Sequence, residues 1–173
     1  MYVLRFVPPR AHPSPGHAIV RPNRDKAECK ATKAAVVVLL LASVALMMVV
    51  TIGGWSKLQG LKPVNFAWCI AYLLIAVYVA RWSRGMLPIA GALATLLLIV
   101  ALIAVTGIAG TSWFDRDAPA FAAPRTIFGG KGLSPDTLGV VTLIIAPLQL
   151  LLVAAATRGL SQGWNVEVEV PEQ

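Results

Sequence analysis

The sequence predicts an all-α membrane protein, an antiparallel bundle of four transmembrane helices, and three observations predict it. Four apolar runs, residues 34–53, 64–80, 87–107 and 138–156, contain no Asp, Glu, Lys, Arg or His. At about 1.5 Å per residue, runs of roughly 17 to 21 residues match a hydrocarbon core about 30 Å thick. Composition agrees, with 57% hydrophobic residues, 13% charged residues and a mean hydropathy of +0.73 over 173 residues. In soluble domains charged residues approach a quarter. The third observation is the placement of the tryptophans. Trp55, Trp68 and Trp113 fall towards one level of the four runs, and Trp82 and Trp164 at or beyond the other. Indole rings prefer the headgroup region in the same way.

Residues 1–33 precede the first run and carry Pro8, Pro9, Pro13, Pro15 and Pro22 among seven of the fifteen basic residues. A segment so poor in apolar periodicity buries too little surface to offset its ordering entropy, so a disordered basic tail is expected. The formal charge of +7 would suggest nucleic acid in a soluble domain. Here the basic residues crowd against a span, where they act as a topology signal and contact anionic headgroups, and no nucleic-acid partner is expected. The first run is too long for a signal-peptide core and reads as a retained anchor.

The second run follows a short linker, and Pro63 suits the opening turn of its helix because a first-turn N–H has no partner to lose. Arg81-Trp82-Ser83-Arg84-Gly85 then reverses the chain, and Pro88 sits in the opening turn of the third helix. The connection 109–133 is the one long loop, with Pro119 and Pro124 and a run of glycines near its end, and long loops are where function concentrates. Ser134-Pro135-Asp136 opens the fourth helix with a capping hydroxyl, a proline at the first helical position and an acid at the positive end of the dipole. The domain reading is therefore a tail (1–33), a four-helix transmembrane domain (34–159) and an acidic tail (160–173).

The basic residues also orient the chain. With the N-terminus inside, ten Lys and Arg residues lie on the inner side and five on the outer. Both termini are then cytoplasmic, by the positive-inside rule.

Several groups could carry chemistry, and each has a plain structural reading beside it. Pro147 and Gln149 place a helix-breaking residue and a polar amide at membrane depth, which serves either a ligand site or helix packing, with Tyr72, Tyr78, Thr95 or a carbonyl as partners for the amide. Asp115, Arg116 and Asp117 on the long loop place two carboxylates beside a cation. One such pair supplies too few ligands for a metal site by itself, and a self-neutralising cap is the simpler reading. Val166-Glu167-Val168-Glu169 alternates with a period of two and reads as a short strand. Such a strand is unstable alone, so it is disordered, folds back, or pairs with a partner's sheet edge. Small-residue pairs such as Ala67 and Ala71, or Ala90 and Ala94, suit close helix packing.

No catalytic residue, metal ligand set or cofactor motif is identified. Cys29 and Cys69 have no metal-site spacing, and 128–132 lacks the pattern of a phosphate loop.

The stretches 54–64, 80–88, 112–116 and 162–169 together resemble a group of small, functionally uncharacterised integral membrane proteins of actinobacteria. The resemblance spans residues 33–171 and implies a bacterial plasma membrane, with no activity, cofactor or catalytic residue attached. The function expected is that of a non-enzymatic accessory or assembly subunit of a larger membrane complex, contacting other membrane subunits or a copy of itself through 166–169 and 115–117. The alternative is a small-molecule or lipid transporter component acting as an oligomer, with its site near Pro147 and Gln149.

Overall fold

A computed structural model of the chain describes residues 16–58, 60–107, 112–114 and 124–171. Four helices account for most of them: α1 (Ala27–Gly53), α2 (Lys62–Ala80), α3 (Met86–Thr106) and α4 (Pro135–Ser161). All four are long and apolar enough to cross a membrane. They run alternately up and down, so α1 starts and α4 ends at one end of the bundle, here the terminal end. The 112–114 and 124–134 segments lie at the other, the loop end.

The helices are not equal in burial. In the apolar window of α4 39% of residues are buried and in that of α1 33%, against 28% in α2 and 22% in α3. Accordingly α4 packs broadly on both α3 and α1, α1 packs on α2, and the α2–α3 pair is the loosest neighbour contact. Side chains such as Ile70, Leu74, Ile99 and Leu150 are exposed, as lipid-facing positions of a spanning helix must be. Inside, Val36, Leu40, Tyr72, Val79, Leu87, Ala90, Ala94, Leu138 and Leu152 have no accessible surface. The small face of Ala90 and Ala94 thus serves packing within the chain. The Ala67–Ala71 pair does not, for Ala67 is exposed and Ala71 only half-buried.

Two helices, α1 and α4, outrun their apolar runs by a turn or more. At about 1.5 Å per residue, the 27 residues of α1 reach roughly 40 Å, about 10 Å more than the hydrocarbon core. The extra turns extend α1 to Ala27, which corrects the expectation of disorder up to residue 33. The physical reason is that Cys29 and Thr32 are buried in register with Val36 and Leu40, so the inward stripe continues into the leader, while Glu28 complements the helix dipole. α4 extends in the same way past residue 156 to Ser161.

The protruding turns support a cap built from both ends of the described chain. Strand β1 (His17–Val20) pairs antiparallel with β2 (Val168–Pro171), with Val20 opposite Val168 and Ala18 opposite Val170. The alternating segment therefore folds back onto the leader, one of the three outcomes open to it, and from His17 onward the leader is not the unstructured tail expected. A 3₁₀ turn at Pro22–Arg24 then aims side chains at the end of α4. Asn23 Nδ2 donates to the carbonyls of Gln162 and Gly163 at 3.3 and 3.0 Å. Arg21 Nη2 meets Glu167 Oε1 at 2.6 Å, and Arg24 donates to the Trp164 carbonyl and to Asn165 Oδ1. Gln162 Nε2 reaches Thr32 Oγ1 at 2.9 Å and Gln162 Oε1 accepts from Trp164 Nε1 at 3.0 Å. Trp164 is fully buried as a result. A methyl at Gly159 would lie 2.9 Å from Leu87 and 3.0 Å from that indole, which explains a glycine there.

The α2–α3 turn closes the same end. Trp82 has φ of 65°, its N–H bonds to the Val79 carbonyl, and the Ser83 N–H reaches the Tyr78 carbonyl. This is the Schellman termination, with tryptophan in the left-handed position usually held by glycine. Its ring stands edge-on to Trp164 at 5.5 Å and lies under Lys33 Nζ at 4.1 Å. These contacts hold a backbone conformation that costs an L residue about 1 to 2 kcal/mol.

At the loop end, Ser134 Oγ accepts from the Thr137 N–H at 3.2 Å, with Pro135 in the first turn, as the cap reading expects. Residues 124–133 dock on the end of α1 and the linker after it, where the Arg125 N–H donates to Ser56 Oγ at 2.8 Å and the Leu133 N–H to the Gly53 carbonyl at 3.0 Å. Trp113 is buried, and the neighbouring Phe114 ring occupies the space a methyl at Gly139 would need.

Candidate functional site

Among the described residues Gln149 is the one side-chain amide at 0% exposure, and its position follows from helix phase. Thr142, Ile145, Ala146, Gln149, Leu152 and Ala156 recur at three- and four-residue spacing on the inward stripe of α4. Tyr72 Oη of α2 donates to Gln149 Oε1 at 2.8 Å, and Gln149 Nε2 donates to Ser43 Oγ of α1 at 2.9 Å. Ser43 in turn donates to the Leu39 carbonyl at 2.8 Å. The amide is thereby committed at both ends and ties three helices together, which is what an amide at membrane depth requires. Tyr72 was among the partners expected for it; Ser43 was not.

Pro147 does not share this site. It is exposed on the outer face of α4, and two residues along a helix are separated by about 200°, so Pro147 and Gln149 point to opposite sides. The other sequence-derived candidates are also scattered. Val166 to Glu169 sit in the cap at the terminal end, with Glu167 held by Arg21. Asp115, Arg116 and Asp117 lie outside the described residues.

A feature that no sequence signal marked is a cavity of about 280 Å³ at membrane depth in the loop-end half of the bundle. Met47 and Val50 of α1, Leu97 and Ala101 of α3 and Ile145 of α4 form its walls, and Trp113 contributes from the loop. Its mouth is marked by the exposed lining residues Leu61, Val100 and Ile103, so it opens sideways between the start of α2 and the end of α3. That is the loosest seam of the bundle. Its polar side chains are Asn65 and Thr142. Asn65 Nδ2 donates to Thr51 Oγ1 at 3.2 Å, and Thr142 Oγ1 donates to the Leu138 carbonyl at 2.7 Å. One turn from Asn65, the indole N–H of Trp68 is buried and has no partner among the described residues. Cavities arise from how helices splay, and no local pattern encodes that.

The cavity presents aliphatic and aromatic walls with two polar atoms already engaged. Among the described residues no group of three His, Cys, Asp or Glu side chains comes together. Cys29 and Cys69 are buried free thiols on different helices. The fold and site define a multi-pass helical-bundle membrane protein. Compared with known proteins, the chain matches no family model, no curated protein and no solved structure.

Proposed function

We propose that this chain is a non-enzymatic accessory subunit of a larger complex in a bacterial plasma membrane, with both termini cytoplasmic. A partner's transmembrane helix docks against the seam between α2 and α3. The observation that supports this is the sideways apolar cavity. Its volume of about 280 Å³ falls just below the roughly 300 to 1,000 Å³ of sites that enclose small molecules. It suits a few large side chains projecting from another helix, and packing of that kind drives helix association in lipid. The transporter reading draws on the same cavity through Asn65 and Thr142, and would need several copies of the chain to enclose a path.

The test is site-specific photocrosslinking in the native membrane, followed by mild-detergent purification and mass spectrometry. A crosslinker at Val100 or Ile103 is expected to capture one stoichiometric membrane protein, whereas one at the exposed Leu102, turned about 200° from Val100 around α3, is not. Val100→Trp, which fills the mouth, should abolish capture at Ile103 without unfolding the chain. Equal labelling of unrelated proteins from both faces would refute the docking seam, and capture of the chain by itself would shift weight to the oligomeric transporter.

A further inference from the structure

The terminal end carries a second cavity, unrelated to the seam and resting on separate observations. It is an open space of about 730 Å³ between β1, the first turns of α1 and the α2–α3 turn. Four cations line it, Arg21, Arg24, Lys30 and Lys33, with the Trp82 ring and a single acid, Asp25. The neutralisation available to these cations is partial. Asp25 approaches Lys30 at 3.8 Å with both side chains more than half exposed, a pairing that water largely screens. Glu167 engages Arg21 from the strand side. Arg24 donates through Nε to the Trp164 carbonyl and through Nη2 to Asn165 Oδ1, two of its five N–H groups and both to uncharged partners. Among the described residues Lys33 finds only the Ala80 carbonyl at 3.4 Å and the Trp82 face. Burial, and secondly the neighbouring Arg21, hold the Arg24 guanidinium below its ordinary value, with Glu167 acting in the opposite sense. Among the described residues the cations are thus crowded by the fold, with Asp25 and Glu167 as the acids that approach them.

Depth identifies what can reach them. Lys33 directly precedes the apolar run that begins at residue 34, and Trp82 lies two residues beyond the end of α2 at Ala80. The cavity therefore sits at headgroup level, where phosphates are the abundant anions. Lysines on the outer turns of a spanning helix extend into that layer, and an indole prefers it.

We propose that this cavity seats the phosphate of an anionic phospholipid headgroup, held by Lys30, Lys33 and the arginine pair beside the Trp82 ring. Charge-assisted hydrogen bonds from lysine and arginine are the chemistry that recognises a phosphate diester, and a free phosphate shares it. A lipid adds its glycerol and acyl portion, which lies along the adjoining apolar turns of α1 and raises affinity over the free ion.

The test is calorimetric titration of the detergent-solubilised full chain with three probes: short-chain phosphatidylglycerol, short-chain phosphatidylcholine and inorganic phosphate. Saturable binding is expected for phosphatidylglycerol and not for phosphatidylcholine. Lys30→Gln and Lys33→Gln together should weaken it about tenfold or more, whereas Lys131→Gln, at the loop end, should leave it unchanged. Lys30→Gln alone, at an exposed side chain, keeps the test valid should the double variant unfold, and should weaken binding severalfold. Inorganic phosphate binding as tightly as the lipid would overturn the lipid assignment in favour of a soluble phosphate compound. Equal binding of the two lipids, or binding indifferent to both lysines, would overturn the site.

Discussion

Replacing Gln149 by leucine removes the amide that joins α1, α2 and α4 while nearly preserving side-chain volume, so the loss is one of hydrogen bonds and not of packing. Tyr72 Oη, fully buried, then has lost its acceptor at 2.8 Å. Ser43 loses less, because its hydroxyl still donates to Leu39. An orphaned buried hydroxyl costs about 1 to 3 kcal/mol, and hydrogen bonds between membrane helices measure about 0.6 on average and 1.7 kcal/mol at most. Gln149→Leu should therefore destabilise the bundle by about 1 to 2 kcal/mol. Tyr72→Phe leaves Gln149 Oε1 without its donor and should cost about 1 kcal/mol. The pair shares one hydrogen bond, so Tyr72→Phe with Gln149→Leu should cost about 1 kcal/mol less than the two single changes added. Reversible unfolding in mixed detergent micelles, followed by circular dichroism, measures all three. A coupling near zero, with both single variants as stable as the parent, would refute the three-helix tie and free Gln149 for a ligand.

Three further outcomes follow from local geometry. At position 82 both Trp82→Ala and Trp82→Gly lose the ring, but only glycine relieves the left-handed backbone, so the glycine variant should be the more stable by about 1 kcal/mol in the same unfolding assay. Gly159→Ala drives a methyl into Leu87 and the Trp164 indole and should cost about 1 to 3 kcal/mol, with a shift in tryptophan emission as the cap loosens. Gly91→Ala is its counterpart, since a methyl there meets nothing within 4 Å, and thermal unfolding should show no loss and a gain of up to about 1 kcal/mol.

The legible parts of this fold are those written in a short window. Ser134-Pro135-Asp136 states its own helix start, Pro63 marks the opening turn of α2, and each apolar run is long enough to be a span without reference to any other. Gln149 also announced itself, because an amide at that depth must find a partner and Tyr72 was within reach of the argument. The illegible parts need two distant segments at once. β1 has no stability without β2, so the leader reads as disordered when taken alone, although Cys29 and Thr32 already continued the stripe of Val36 and Leu40. Trp82 in a left-handed turn contradicts local preference and is intelligible only beside Trp164 and Lys33. Pro147 and Gln149 face opposite sides of α4, which the phase of two helical residues is enough to decide. The side cavity comes from the looseness between α2 and α3, and no residue type signals a gap.

The sheet that joins the two ends of the described chain also sets an order of events during synthesis. Arg21 and its partner Glu167 are 146 residues apart, with all four spans between them. At about 5 to 20 residues per second, the leader waits roughly 7 to 30 s before the ribosome delivers its counterpart. For that interval its arginines are unpaired and available to whatever receives the nascent chain. Cap closure is thus a late step that reports on the fourth helix having been inserted in the right direction, because only then do the two strands emerge on the same side. A chain whose last span fails to insert keeps an exposed basic leader, a simple mark by which quality control can tell it from a finished one.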